Sequence, residues 1–323
     1  MKPIVTLTLN PSIDASSEAD EVRPMRKNRI SNEHFDPGGG GINVARVILE
    51  LGADALPIYL AGGLTGQLLD KMIDGIGLPR MTIPIQGETR ISHTVFERRT
   101  HKEYRFVPEG PEIADAEWRA CLATLSDLDA DYLVASGSLP QSVPTDFYAR
   151  VARIAAERQM RFVLDTSGEP LEAALAEGVY LLKPNLRELR GLAGNKLGTL
   201  KEQHAAAMQI ISSQQAELVA VSLGADGAFI ADRHGCHDQA APEVEMRSAV
   251  GAGDSFVAAM TLGLAQGRSH QDALRLAVAT GTATVTTMGT ALCRRRDVER
   301  LYDRLAETRS HFLSDRPTAG PID

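Results

Sequence analysis

Alternation between continuous apolar runs and helix-like segments is the feature of this 323-residue chain that most constrains its fold. Each run has few polar interruptions, and segments with helical spacing separate successive runs. Continuous apolar strands are typical of a parallel sheet that helices cover on both faces. We therefore predict an α/β fold with a mostly parallel central sheet. The predicted strands are residues 3–9, 55–63, 131–137, 161–168, 179–185 and 218–224, and the predicted helices are residues 42–52, 66–77, 147–159 and 202–214.

Three of the predicted strands stop at glycine or serine, in the sequences VASGS, VLDTSG and VSLGADG. In open α/β sheets, ligands bind just beyond the carboxyl ends of the strands. We expect the functional site to lie at these strand ends.

Two segments interrupt the alternation. Residues 14–35 are polar and lack a helical period, and residues 90–107 look like two short strands around a charged turn near Arg99–Lys102. We expect them to form a small accessory sheet, inserted as a lid or dimer surface into one domain that spans residues 1–323.

Alternating apolar residues in the second segment indicate how the chain assembles. They are Val95, Tyr104 and Phe106. A lone small sheet buries such residues poorly, so we expect two accessory sheets to pack together in a homodimer. The tail, residues 311–323, is expected to be frayed.

Bulk composition disfavours several classes of protein. An apolar content of 43% and a charged content of 24% are those of a globular chain, and the net charge of −8 disfavours nucleic-acid binding. Cys121, Cys236 and Cys293 form no CxxC pair, which favours buried thiols over a disulfide framework or a zinc site. The first residues resemble a strand rather than a signal peptide, and no apolar run approaches the ~20 residues that span a membrane. We expect a cytoplasmic protein without membrane or nucleic-acid partners.

The stretch AVGAGDS, residues 249–255, places a glycine-rich turn ahead of an apolar helix. Gly251, Ala252 and Gly253 would present backbone N–H groups at the positive end of that helix, where an anion binds. Asp254 would repel the anion, so its expected role is to accept the proton of a hydroxyl that attacks phosphorus. The alternative is that Asp254 only caps the helix.

A second glycine cluster, PGGGGINVARVILELG, covers residues 37–52. Four consecutive glycines exceed what a turn requires, which indicates close approach of a ligand, although a purely structural turn stays open. The cluster fails the dinucleotide pattern G-x-G-x-x-G, because Asn43 stands where the third glycine belongs, and the chain has no P-loop. Asn43 is suited to hydrogen bonds with sugar hydroxyls.

Two further motifs have a ligand interpretation and a structural one. Asn185 and Glu188 stand three apart at the start of a predicted helix, a spacing that suits Mg²⁺ but also plain helix capping. VSLGADGAF, residues 221–229, suits a flat ligand or a diphosphate, and equally a tight hairpin.

Asp14 follows the first strand and is suited to a sugar hydroxyl. Positive charges in the lid-like segments come from Lys27, Arg29, Arg90 and Arg105.

Together and in this order, these motifs resemble the PfkB (ribokinase-like) family of carbohydrate kinases. The resemblance runs from the first strand to about residue 293, and GGGGINVAR and VGAGDSFVAAM are its most specific parts. It implies a three-layer α/β/α sandwich with a small β-sheet lid, and transfer of phosphate from ATP, with Mg²⁺, to a sugar or sugar-phosphate hydroxyl. TLNPSID, GINVAR and SGSLP are similar to three branches of the family, the minor bacterial 6-phosphofructokinases, the 1-phosphofructokinases and the tagatose-6-phosphate kinases. Gly40 in place of lysine resembles the first branch, which implies D-fructose 6-phosphate as the acceptor.

The resemblance assigns a role to each motif residue. Asp254 would be the catalytic base, with an anion hole from the amides of Gly251, Ala252 and Gly253. The sugar-phosphate site would be lined by Asp14, Lys27, Arg29, Gly38, Gly39, Asn43, Arg90, Arg105 and Ser138. The nucleotide would contact Lys183, Asn185, Ser222, Gly224 and Gly227. Asn185 and Glu188 would organise Mg²⁺, and K⁺ would bind near Ser248, Val250 and Gly289.

The sequence leaves alternative functions open. The same chemistry on tagatose 6-phosphate or fructose 1-phosphate fits the motifs. A non-catalytic nucleotide or sugar-phosphate regulator is disfavoured, because the chain keeps Asp254 and the anion-hole glycines. A dinucleotide oxidoreductase is disfavoured because no predicted strand ends in G-x-G-x-x-G.

Overall fold

The computed structural model describes residues 2–307, so the predicted frayed tail at 311–323 lies outside the described residues. Thirteen strands occur in this part of the chain. They are β1 (Ile4–Thr8), β2 (Ser12–Ala19), β3 (Ile30–Gly38), β4 (Ala55–Gly62), β5 (Met81–Ile85), β6 (Arg90–Glu97), β7 (Lys102–Phe106), β8 (Tyr132–Ser136), β9 (Arg161–Asp165), β10 (Val179–Leu182), β11 (Ala216–Ser222), β12 (Ala228–Asp232) and β13 (Gly235–Gln239).

Nine of these strands form the central sheet, in the order β13-β12-β11-β10-β9-β8-β1-β4-β5. The seven strands from β11 to β5 in this order are parallel, and β12 and β13 add antiparallel at one edge. The predicted mostly parallel sheet is therefore confirmed. Because β1, β8, β9, β10 and β11 run in the same direction, their carboxyl ends meet at one edge of the sheet.

Helices cover both faces of this sheet. They are α1 (Gly40–Glu50), α2 (Gly63–Gly75), α3 (Asp115–Ser126), α4 (Phe147–Glu157), α5 (Glu169–Leu175), α6 (Leu186–Ala193), α7 (Leu200–Ser212), α8 (Ala252–Ala265), α9 (His270–Val285) and α10 (Arg295–Glu307). No helix in residues 2–307 is both long enough and apolar enough to cross a membrane.

Two separate cores result from the alternation of side chains along the strands. In β8, Tyr132 and Val134 join the cluster formed with α1, α2, α8, α9 and α10, while Leu133 and Ala135 join the cluster formed with α3 to α7. These positions are almost fully buried, and each large apolar side chain contributes about 1.5–3 kcal/mol by leaving water. The three-layer α/β/α sandwich that the resemblance implies is confirmed.

The two interrupting segments form the predicted second sheet, in the order β3-β2-β6-β7. Strand β2 pairs antiparallel with β3 and parallel with β6, and β6 pairs antiparallel with β7 across the turn that contains Arg99. We call this four-stranded sheet the lid sheet. Asp14 and its neighbours in register lie on one face, and Ala15, Phe35, His93 and Phe106 lie on the other.

Candidate active site

Asp254 lies in the first turn of α8, whose N-cap is Gly251 with φ 73°. A positive φ of this size favours glycine, so the turn before the helix requires that residue. The helix has no side-chain cap, and the Asp254 carboxylate instead accepts hydrogen bonds from Asn43 Nδ2 at 2.9 Å and Ser136 Oγ at 3.3 Å. The capping alternative for Asp254 is therefore wrong, and its side chain is directed to groups from α1 and β8.

The surroundings of Asp254 raise its pKa to about 6. Burial is the main cause, and the charge of Asp165 adds to it. The hydrogen bonds from Asn43 and Ser136 and the charge of Lys183 act in the opposite direction. A carboxylate with a pKa near neutrality is well matched to proton acceptance in catalysis.

Lys183 is buried at the end of β10, beside the glycine turn. Its Nζ lies 2.8 Å from Asp165 Oδ1, and a Cβ built on Gly253 would lie 3.3 Å from that Nζ. Burial lowers the pKa of Lys183, but the neighbouring carboxylates, Asp165 first, outweigh burial and raise it. A permanent positive charge therefore lies against the turn that the sequence predicts to bind an anion.

The four glycines from Gly38 to Gly41 are explained by protein packing. A Cβ on Gly38 would lie 2.1 Å from Asp14 Oδ2, and one on Gly40 would lie 2.3 Å from Ser136 Oγ. Equivalent atoms on Gly39 and Gly41 would meet Thr8, at 2.7 Å and 2.6 Å. The close approach that the glycines permit is thus that of β1, β2 and β8 to the start of α1, and the structural alternative accounts for the run.

Asn185 and Glu188 form a reciprocal capping box at the start of α6. Asn185 Oδ1 accepts from the Glu188 N–H at 2.9 Å, and Glu188 Oε2 accepts from the Asn185 N–H at 2.8 Å. Burial raises the pKa of Glu188, while its hydrogen bond to the Asn185 backbone and the charge of Lys183 lower it. In the described chain the cap uses only one carboxylate oxygen, so Oε1 is left for other ligands. Among residues 2–307, no three His, Cys, Asp or Glu side chains group together as a metal site.

The segment after β11 forms the tight hairpin that the sequence left open. Ser222 pairs with Ala228, and the Leu223 N–H donates to the Gly227 carbonyl at 2.8 Å. A Cβ on Gly227 would lie 2.1 Å from the Gln239 carbonyl oxygen, so this glycine is required by the packing of β13. A Cβ on Gly224 would meet no described protein atom within 4 Å, so its side faces open space.

The inner face of the lid sheet collects charge around Asp14. Burial raises the pKa of this half-buried carboxyl, while Ser12 Oγ, which donates to it at 2.6 Å, and the charges of Arg46, Arg90 and Arg105 lower it. The Arg90 guanidinium donates to the carbonyls of Pro108 at 2.7 Å and Asn10 at 2.8 Å, which braces the base of the lid sheet.

Other predicted residues lie at the margin of this site. Lys27 and Arg29 are exposed in the loop between β2 and β3, and Ser138 is exposed two residues beyond β8. Ser248 Oγ donates to Glu103 Oε2 on the lid sheet at 3.1 Å. A Cβ on Gly289 would lie 2.8 Å from Ser16 Oγ, also on the lid sheet. The Val250 N–H donates to Ser248 Oγ at 3.2 Å, within the same loop. Through Ser248 and Gly289, both loops predicted to bind K⁺ therefore lie against the lid sheet.

Sequence reasoning missed Ser136 and Asp165. They are the last residues of β8 and β9, and Ser136 Oγ lies 3.4 Å from Asp165 Oδ2, so these two side chains link Asp254 to Lys183. Both residues lie within the VASGS and VLDTSG runs, so a polar side chain ending a buried strand was the available signal.

The sequence of this chain is similar to those of known carbohydrate kinases. A family model described as pfkB family carbohydrate kinase matches residues 5–296. The chain is 46% identical to the ATP-dependent 6-phosphofructokinase isozyme 2 of Mycobacterium tuberculosis, over 94% of this chain and 90% of that protein. It is 35% identical to a tagatose-6-phosphate kinase of Staphylococcus epidermidis, over 86% of this chain and 90% of that protein.

A solved structure shares the fold over nearly the whole chain. The crystal structure of phosphofructokinase-2 from Escherichia coli in complex with fructose-6-phosphate superposes with a TM-score of 0.90 at 37% identity. The match covers 95% of this chain and 100% of that one. The ribokinase-like arrangement of the two sheets is therefore shared by the two proteins.

Proposed function

The chain belongs to the pfkB family of carbohydrate kinases, and on this basis we propose that it is an ATP-dependent 6-phosphofructokinase. It transfers the γ-phosphoryl group of ATP to the 1-hydroxyl of D-fructose 6-phosphate and yields fructose 1,6-bisphosphate and ADP. The choice of sugar is supported by the 46% identity to a 6-phosphofructokinase isozyme 2 over most of both chains.

One observation of the site carries this proposal: a carboxylate with a raised pKa and a buried ammonium group flank the same glycine turn. Asp254 is hydrogen-bonded on both oxygens, and Lys183 lies beside Gly253. A base next to a positively charged turn is the pairing that phosphoryl transfer requires, because a proton is removed where negative charge must be held.

In the proposed reaction, the Asp254 carboxylate accepts the proton of the 1-hydroxyl. The hydroxyl oxygen forms a bond to the γ-phosphorus as the bond from that phosphorus to the β,γ-bridging oxygen breaks, and ADP leaves with the electron pair. The α8 amides at Gly251, Ala252 and Gly253 and the Lys183 ammonium stabilise the transferring group. The Ala252 N–H has only a long 3.4 Å bond to the Ala249 carbonyl to give up. Positioning and charge stabilisation supply most of the rate.

We extend the proposal to Mg²⁺ at the start of α6. The Asn185 side-chain oxygen is engaged in the cap, so Glu188 Oε1 is the better placed protein ligand. One carboxylate oxygen with waters and phosphate oxygens matches the way Mg²⁺ usually binds. When bound, Mg²⁺ would neutralise charge on the ATP phosphates.

The nucleotide is proposed to lie near Ser222 and Gly224, where the hairpin faces open space.

The sugar-phosphate site is proposed on the inner face of the lid sheet. Asp14 and Asn43 are suited to sugar hydroxyls, and the exposed Arg105, Lys27 and Arg29 supply positive charge for the 6-phosphate.

K⁺ is proposed to bind backbone oxygens near Ser248, Val250 and Gly289. A comparison of kcat in potassium chloride and in tetramethylammonium chloride would test this site. We place this activity in the cytoplasm, where its substrates occur.

Assembly through the lid sheet is part of the proposal. Phe35 and Phe106 are 46% and 58% exposed on its outer face, and Val95 and Tyr104 pair half-buried beside them. Two such faces packed together in a homodimer would remove these aromatic rings from water.

The proposal is tested by measuring kcat/KM with ATP on three sugars. We expect fructose 6-phosphate to be preferred over tagatose 6-phosphate and fructose 1-phosphate, since specificity is a ratio of these values. Preference for tagatose 6-phosphate would favour the second candidate, which the 35% identity to a tagatose-6-phosphate kinase supports. ATP binding without turnover of any of the three would favour a non-catalytic regulator.

A further inference from the structure

Arg46 on α1 is held by three hydrogen bonds that the proposed reaction does not use. Its Nη1 donates to the Pro37 carbonyl at 2.7 Å and to Asn43 Oδ1 at 3.2 Å, and its Nη2 donates to Asp36 Oδ1 at 2.7 Å. The side chain is only 13% exposed. Asp36 in turn accepts from Thr290 Oγ1 at 2.7 Å, so the guanidinium is anchored to the last residues of β3 and to the loop before α10.

Asn43 lies between this anchored guanidinium and the proposed catalytic base. One end of its amide accepts from Arg46, and the other end, Nδ2, donates to Asp254 Oδ2 at 2.9 Å. Asn43 and Arg46 stand three residues apart on one helix, which places them on the same face.

The chemistry of the two neighbours permits only one orientation of the amide. A guanidinium has donors and no acceptors, and an ionised carboxylate has acceptors only. With the amide turned by 180°, its NH₂ group would face Arg46 and its oxygen would face Asp254, and both contacts would be repulsive. Arg46 therefore selects the orientation in which Asn43 donates to the base.

We propose that Arg46 is a positioning residue, which holds the Asn43 amide so that it donates to the Asp254 carboxylate. Without the guanidinium, the amide is free to turn, and the carboxylate loses a bond that stabilises its charged form. Asp254 would then accept a proton more readily from solvent and be ionised in a smaller fraction of molecules at neutral pH.

Other charges that face Asp254 come from different elements. Asp165 raises its pKa, and Lys183 lowers it, from the ends of β9 and β10. Neither has a described hydrogen bond or ion pair to Arg46, so both effects persist when Arg46 is replaced. The other titratable groups near the Arg46 guanidinium are Asp14, Asp36 and His34.

The inference rests on the proposed kinase activity and is tested with Arg46→Met, which keeps a long apolar stem without donors, and Arg46→Lys, which keeps one donor group. The control is Arg80→Met: Arg80 is likewise held by carboxylates, at 2.7 Å to Asp74 and 3.2 Å to Asp70, but it lies beside β5. For each protein, kcat and KM are measured from about pH 5 to about pH 9.

In the plot of kcat against pH, we expect Arg46→Met to move the acid limb to higher pH by about one unit. Near pH 6 its kcat should be roughly fivefold lower than that of the wild type, with an unchanged KM for ATP. Arg46→Lys should move it less, and Arg80→Met should leave it in place. A limb that stays at the wild-type pH in Arg46→Met, or that moves equally in Arg80→Met, would overturn the inference. If Arg46→Met does not fold, the same comparison applies to Arg46→Lys.

A second measurement separates this inference from the proposed function. Aspartate carboxyl carbons are labelled with ¹³C and titrated by NMR, and Asp254→Asn identifies the Asp254 signal. An upward move of that titration in Arg46→Met supports the inference even if wild-type enzyme turns over no fructose 6-phosphate, an outcome that would refute only the proposed substrate. An unmoved titration would refute the role of Arg46 whatever the substrate.

Discussion

Replacing Asp254 with asparagine is expected to remove catalysis and stabilise the fold in the same variant. Asparagine matches the shape of aspartate, so Asn43 can still donate to its oxygen, and the Ser136 hydroxyl can rotate to accept from its NH₂ group. What is lost is the negative charge and the ability to take a proton. Loss of a positioned base typically costs a factor of about 10²–10⁴ in kcat.

The gain in stability follows from the raised pKa of Asp254. Between its ordinary value of 3.8 and its folded value of about 6, the folded chain holds a proton that the unfolded chain has released. The free energy of unfolding therefore falls as pH rises through this window. Above about pH 6 the cost is at most about 3 kcal/mol, less what water at the half-buried carboxylate screens. Asparagine carries no charge and avoids this cost.

The assay is urea unfolding followed by tryptophan fluorescence. The chain has one tryptophan, Trp118, which is 2% exposed in the core and reports loss of packing there. We expect Asp254→Asn and wild type to differ little near pH 4 and the variant to be more stable near pH 8. Activity of the same preparations is measured with ATP and fructose 6-phosphate.

Asp74→Asn provides a control of opposite sign. Its carboxylate accepts a hydrogen bond from Arg80 at 2.7 Å, which lowers the pKa of Asp74. This replacement should therefore lower stability as pH rises above about 4 and leave kcat unchanged. The reasoning would be refuted if Asp254→Asn were less stable than wild type near pH 8, or if its advantage were the same at both pH values. A kcat within a few-fold of wild type would refute the catalytic-base role.

Three more replacements test the packing, the metal site and the assembly. Gly40→Ala places a methyl group 2.3 Å from Ser136 Oγ, so we expect urea unfolding to show a loss of about 1–3 kcal/mol; unchanged stability would contradict the packing account. Glu188→Gln retains an acceptor for the Asn185 N–H, so the cap should survive while the Mg²⁺ concentration for half-maximal activity rises; an unchanged Mg²⁺ dependence would leave Glu188 only the cap. Phe106→Asp adds a charge to a ring that is 58% exposed, and light scattering should then show a monomer; an intact dimer would place the interface elsewhere.

Much of the fold followed from the sequence because its signals are local. Continuous apolar runs separated by helical periods require a covered parallel sheet, and the structure places strands and helices where these runs occur. The break in pattern at 14–35 and 90–107 likewise predicted the lid sheet. Helix α1 begins at Gly40, two residues earlier than predicted, because Gly40 and Gly41, which looked like part of a loop for a ligand, are helical residues packed on β8 and β1.

The site itself was only partly predictable. Asp254 and Asn43 were named from their motifs, but Ser136 and Asp165 were not, since a single serine or aspartate after a strand has no distinguishing pattern. They join the site because β8 and β9 are neighbours whose parallel ends bring Ser136 within 3.4 Å of Asp165. Asn185 and Glu188 show the same limit, because the sequence left Mg²⁺ binding and helix capping both open, and only the fold shows the reciprocal cap.

The sequence by itself determined the class of fold and the identity of the proposed base, because strand and helix periods and a glycine-rich turn are written in consecutive residues. The tertiary structure alone decided the electrostatics of that base. Its raised pKa, its link to Lys183 and the orientation of Asn43 depend on groups separated by up to 211 positions in the chain. Burial and charge act through space, so they exist only once the strand ends have converged.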